Sequence, residues 1–227
     1  LHSRSGGQAD APLQDALRQH GTQWHQFSGD LGDDGAAAAL FQSATRAFAR
    51  APMLIINNAS HFGDDDLSTM DEAAQRAHLA VNLVAPVQLA RCLASAANAA
   101  NAASAGDDDR CVINILDQRV ANPVADQLAY TLSKQALWQS TRTMAVAMAP
   151  HVRVNAVAPG LTLPTPDYAD GQMDRMAAAM PLRRLPTPAD IADGVAYLAQ
   201  ARSVTGQTLF VDGGANLKSF DRDFIAM

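Results

Sequence analysis

Met53-Leu54-Ile55-Ile56 is a continuous apolar run without alternation, the pattern of a strand buried on both faces of a parallel sheet. Cys111-Val112-Ile113-Asn114-Ile115-Leu116 repeats it. Val152-Arg153-Val154-Asn155-Ala156-Val157 gives a third strand before Pro159-Gly160, and Thr208-Leu209-Phe210-Val211 a last one before Asp212-Gly213-Gly214. Helical patterns fill the intervals: Asp71 to about Ala103, Asp126 to Ala149, and Pro188 to Ala201. Upstream, Leu1 to Ser5 reads as a strand end entering a glycine turn, Asp10 to His20 as a helix, Thr22 to Phe27 as a short strand and Ala36 to Arg50 as a one-faced helix. Strands alternating with helices predict right-handed crossovers and a parallel sheet covered on both faces. The expected fold is a doubly wound α/β sheet, one domain over residues 1–227, with no linker and no internal repeat.

The 227 residues carry 17 Lys+Arg against 23 Asp+Glu, a formal charge of -6, and no basic stripe of the kind that nucleic acid needs. No uninterrupted apolar run approaches the roughly 20 residues that span a bilayer, and no signal segment follows Leu1, so no membrane partner is expected. Cys92 and Cys111 lie in apolar segments without metal-ligand spacing and read as reduced core thiols of a cytoplasmic protein. Asp64-Asp65-Asp66 and Asp107-Asp108-Asp109 sit in turns and read as solvated carboxylates, with no metal site expected.

Open parallel sheets bind ligands beyond the carboxyl ends of their strands. That rim holds Arg4, Asp30, the segment from Asn57 to Phe62, Asp117 and Pro159-Gly160. Tyr130 and Lys134 stand four residues apart, on one helix face, where an ammonium favours the phenolate. Taken together, Asn57-Asn58-Ala59-Ser60, Asn82, Asp117, Tyr130-Thr131-Leu132-Ser133-Lys134, Val154 through Gly160 and Val211-Asp212-Gly213-Gly214 resemble the short-chain dehydrogenase/reductase family across essentially the whole chain. The resemblance implies a Rossmann-like fold and a nicotinamide cofactor running past Asn57, Asn58, Ala59, Pro159 and Gly160. It implies Tyr130 as proton donor, Lys134 as the residue that holds the nicotinamide ribose and depresses the tyrosine pKa, and Asn82 as the anchor of a water behind Lys134.

Most members of the family carry Ser where Asp117 stands. Asp there, with Phe62 closing the Asn-Ala-Ser segment, is similar to the pteridine reductase branch. In that branch the residue matching Phe62 stacks on a pterin, the one matching Ser60 touches cofactor or substrate, and the one matching Asp117 bonds Tyr130 and the pterin. An ionised carboxylate only accepts hydrogen bonds, and its charge opposes phenolate formation. The pair therefore suits delivery of a proton to a C=N bond of a pterin or folate better than oxidation of an alcohol. Reduction of small carbonyl compounds and a catalytically silent binding module are the alternatives.

Arg4, flanked by Ser3 and Ser5, fits the 2′-phosphate of NADPH, where NAD would call for Asp or Glu. By the resemblance, Asp30 and Leu31 flank the adenine. Residues 161–186, including Tyr168, read as a loop that closes over the substrate. The first strand and glycine-rich turn of such folds precede the Arg4 position by about 20 residues, and no G-x-G-x-x-G occurs in this chain, so both are expected to be missing and the native protein to be longer at its amino terminus. The helices 71–103 and 126–149 carry Leu132, Trp138, Met144 and Met148 on more than one face, and the matching helices of the family build a homotetramer.

Overall fold

The computed structural model describes every residue except 104–108, 165, 167 and 225–227. β1 (His2–Ser3) pairs in parallel with β2 (Phe27–Ser28). Between them α1 (Ala11–Gln19) starts where the Asp10 carboxylate accepts from the Leu13 N–H at 2.9 Å, filling one of the donors that a helix start leaves open. The expected strand from Thr22 shrinks to its last residue and Ser28. Upstream of it, the Gln26 side chain binds backbone at Gly7 and Ala9 and holds that stretch as a loop.

The chain continues through α2 (Ala36–Phe48), β3 (Leu54–Asn57), α3 (Glu72–Leu79), α4 (Ala85–Ala103), β4 (Arg110–Ile115), α5 (Leu128–Ala147), β5 (Val152–Pro159), α6 (Gln172–Ala179), α7 (Pro188–Gln200) and β6 (Thr208–Val211). β3 to β6 form a parallel sheet in that order, with Asn57 beside Asn114, Asn114 beside Ala156 and Ala156 beside Thr208. Successive side chains leave opposite faces of each strand. Val112 and Val154 pack with Leu89, Ala90 and Leu93 of α4 and Met144 and Ala145 of α5. Cys111, Ile113 and Val157 face the other way, onto Leu198 of α7. Burying each such Leu or Ile contributes about 1.5–3 kcal/mol. The sheet is thus covered on both faces, as the alternation of elements predicted.

Three readings change. The helix expected over 71–103 is interrupted by a π-helical turn, Ala80–Val84, between α3 and α4. The helical stretch Glu72–Ala100 is long and apolar enough to cross a membrane by length and composition, although its charged side chains break every apolar run. In this fold its Leu89, Ala90, Leu93 and Ala97 belong to the core. Third, the run Met53 to Ile56 is not buried on both faces: Leu54 is 39% and Ile56 46% exposed. β3 is an edge strand, and β1 and β2 form a separate two-stranded sheet. A groove lined by His2, Phe27, Phe41, Phe48, Leu54 and Ile56 lies between them.

The acidic runs are absorbed locally. Asp66 caps a turn through Ser68 and Thr69, and Asp109 pairs with Arg153, whose guanidinium also binds the carbonyls of Leu198, Ala199 and Ala201 at the end of α7. Asp107 and Asp108 lie outside the described residues. No group of three metal-ligating side chains occurs among the described residues.

Candidate active site

The strand ends bring the rim together. Asp117 follows β4 directly, and the early turns of α5 carry Tyr130 and Lys134 beside it. The Tyr130 hydroxyl donates to Asp117 Oδ2 at 3.1 Å. Lys134 Nζ donates to the Ile115 carbonyl at 2.8 Å and lies 5.7 Å from the Tyr130 ring centroid. The Phe62 ring meets the Tyr130 ring edge-on, with centroids 4.9 Å apart and planes at 74°. Tyr130 and Lys134 are buried, while Phe62 is half exposed and lines an open cleft with Asp117, Gly160, Thr162 and Tyr168.

Burial, then the charge of Asp117, drives the Tyr130 pKa well above its usual 10, and the nearby Arg119 guanidinium only partly offsets them. Burial lowers Lys134 itself to about 8, with the Asp117 charge working against that fall. In the protein without ligand the phenol is therefore held as an acid. Tyr168, across the cleft, is pushed up to about 12 by burial and then by Asp223.

Asn82 is buried. It sits in the π turn, a feature frequent at functional sites, and its side chain is fully engaged. Oδ1 accepts from the His61 N–H at 2.7 Å and from the Ser60 hydroxyl at 3.2 Å; Nδ2 donates to the His61 carbonyl and to Ser133 Oγ, each at 2.9 Å. It ties the Phe62 loop to the helix that bears Tyr130. Both of its side-chain donors are used within the protein. Asp65 makes a second tie: its Oδ1 accepts from the Ala129 N–H at 3.1 Å and its carbonyl from the Gln127 N–H at 2.7 Å.

The proposed cofactor residues divide. Ser3 ends β1, Arg4 and Ser5 are exposed just after it, and Asn58 and Ala59 are exposed after β3. Arg4 and Asp30 both lie near enough to His61 to bias its titration, so the ends of β1, β2 and β3 converge; burial is the main cause of its lowered pKa. Asp30 Oδ1 accepts from the Gly32 N–H at 2.8 Å, and Leu31 packs against the core. Asn57 points inward instead, donating to Asn114 Oδ1 at 2.8 Å, with Asn114 in turn donating to Thr141. The Ser60 hydroxyl is held by Asn82. Pro159 ends β5 beside Val211. Gly160 is glycine for packing: a Cβ there would lie 2.8 Å from Asp212 Cα. Arg119, Asp223, Asn114 and Asp65 complete the site and were not among its sequence candidates.

The sequence matches the family described as enoyl-(acyl carrier protein) reductase over residues 4–216. An uncharacterized oxidoreductase of Mycobacterium tuberculosis is 32% identical, covering 97% of this chain and 83% of its own length. The dihydromonapterin reductase of Klebsiella pneumoniae is 28% identical, covering 91% of this chain and 83% of its own. The fold superposes on the FolM alternative dihydrofolate reductase 1 of Brucella canis, solved with NADP, with a TM-score of 0.82, 34% identity, and coverage of 96% of this chain and 84% of that one. With the family match spanning nearly the whole chain and the Asp117, Tyr130 and Lys134 side chains gathered at one strand rim, this chain is an oxidoreductase of the short-chain dehydrogenase/reductase family.

Proposed function

We propose that the chain reduces a pteridine, a dihydropterin, pterin or dihydrofolate, at the expense of NADPH. The observation that carries this reading is the Tyr130 hydroxyl bound to an acceptor, the Asp117 carboxylate, at 3.1 Å, where a serine would present a donor. A ketone oxygen needs donors. The ring of a pteridine offers amino and N–H donors to a carboxylate, and a flat face to Phe62, which borders the same cleft. The likeness to the Klebsiella and Brucella proteins supports the reading.

The residues fit the cofactor. Arg4, with Ser3 and Ser5, offers a guanidinium and hydroxyls at the end of β1, suited to a 2′-phosphate. Lys134, buried beside Tyr130, offers the ammonium that a ribose needs, and Asn58, Ala59 and Gly160 border the path between. NADPH supplies the hydride when bound. The protein's work is to orient the heterocycle against Phe62, to accept its N–H groups at Asp117, and to deliver a proton from the Tyr130 hydroxyl to the ring nitrogen. Thr162, Leu163 and Tyr168, after β5, line the cleft. Free Cys92 and Cys111 fit the reducing cytoplasm.

The test follows NADPH oxidation with dihydrobiopterin, dihydrofolate and a small ketone. Turnover of a pteridine with little of the ketone is the expected result. Ketone turnover alone would make the chain a carbonyl reductase, and failure of NADPH to raise the melting temperature would make it a binding module.

A further inference from the structure

Arg119 lies in the 3-10 turn after β4, 7% exposed, and its guanidinium is gripped on three sides. Nε faces Asp117 Oδ1 at 3.3 Å, Nη1 donates to Gln127 Oε1 at 2.5 Å, and Nη2 donates to the Asp223 carboxylate. The backbone N–H of Arg119 adds a bond to the same Asp117 oxygen at 2.8 Å. Asp117 Oδ1 is thereby saturated from one side, which leaves Oδ2 for the Tyr130 hydroxyl. The guanidinium carbon also sits 5.2 Å from the Tyr130 ring centroid. Asp223 belongs to the carboxyl-terminal segment, whose Phe224 borders the substrate cleft and whose Phe224 carbonyl accepts from Gln172 Nε2 at 2.6 Å.

We propose that Arg119 is a positioning residue for proton transfer: its buried fork aims the Asp117 carboxylate at Tyr130 and, through Asp223, ties the carboxyl-terminal wall of the cleft to the proton donor. A planar fork is what two carboxylates on different segments require, and a lysine point charge cannot hold both. The geometry also balances charge. Asp117, Arg119 and Asp223 face the phenol from outside its helix and Lys134 from within it, and of the outer three only Arg119 favours the phenolate. A carboxylate left without its guanidinium would be free to turn away from the hydroxyl. The inference rests on Tyr130 being the proton donor, not on which substrate receives the proton.

The experiment uses the full chain with whichever substrate the wild type reduces, so loss of the pteridine reading leaves this test intact. Arg119→Met is expected to lower kcat about a hundredfold, the scale of an ångström misplacement in a catalytic constellation, with the Kd for NADPH unchanged. Arg119→Lys, which keeps the charge and the fold, recovers part of that loss. Arg119→Met with Asp223→Asn also removes the buried carboxylate that has lost its guanidinium, so the melting temperature recovers while kcat stays low. Recovery of kcat in step with the melting temperature, or wild-type kcat in Arg119→Met or Arg119→Lys, overturns the proposal.

Discussion

Tyr130 keeps its proton because burial and Asp117 both oppose the phenolate. A positioned general acid contributes about a hundredfold to ten-thousandfold, so Tyr130→Phe should lower kcat within that range and leave NADPH affinity, read by fluorescence titration, intact. Lys134 behaves oppositely, because burial lowers its pKa from 10.5 to about 8. As pH rises through 8 the ammonium is lost in the folded protein, so NADPH binding should weaken above that value, and Lys134→Met should abolish the inflection. The stability sign follows from linkage: the folded chain carries the full penalty of the buried charge below about 8 and sheds it as pH climbs towards 10.5. Lys134→Met should therefore raise the melting temperature of the free protein more at neutral than at alkaline pH. The Tyr130–Lys134 pair was legible in the sequence because a spacing of four fixes a shared helix face. Arg119 and Asp223 were not, since they lie 104 residues apart and meet only in the fold.

Among the elements, the π turn Ala80–Val84 places Asn82 where it can hold the backbone of His61 and the Ser133 hydroxyl together. Asn82→Ala would strand these buried partners at about 1–3 kcal/mol, and at about 2–4 °C per kcal/mol for a chain of this size the melting temperature should fall by several degrees. The KM for substrate should rise with it, because the Phe62 loop loses its tie. Gly213, after β6, packs against Arg184, and its carbonyl accepts from the Leu182 N–H at 3.0 Å. Its φ is +66°, and a Cβ would lie 2.4 Å from the Arg184 carbonyl, so Gly213→Ala should destabilise by more than the roughly 0.4–1 kcal/mol by which an unstrained Gly→Ala change stabilises. Of these features the helix pattern was readable, but a single extra residue in one turn leaves the apolar period nearly unchanged and hides the π turn. The apolar run before Asn57 showed a strand yet not its neighbours; Leu54 and Ile56 leave the same face as Cys111 and Ile113, where α7 packs on β4 and β5, and at β3 that face stays exposed.

For the molecule as a whole, the doubly wound arrangement followed from the alternation of strand and helix, whereas the division into two sheets depends on which edges pair. The surface on which the expected homotetramer would form also narrows. Met144 is buried, Met148 packs on the core, and Trp138 packs against the sheet, donating to Thr208 Oγ1 at 3.1 Å, so among the described residues Leu132, Val84 and Val146 remain as the exposed large apolar side chains of this helical region. Sedimentation velocity should show a homotetramer that Val146→Glu dissociates; a monomeric wild type would refute that assembly. The account as a whole turns on why a carboxylate occupies the position beside the phenol. The most direct measurement is the ratio of kcat/KM for a dihydropteridine to that for a small ketone in the wild type and in Asp117→Ser. We expect the serine to cut the pteridine value about a hundredfold, within the range of a lost positioned group, while the ketone value holds or rises. An unchanged pteridine value in Asp117→Ser would contradict the account.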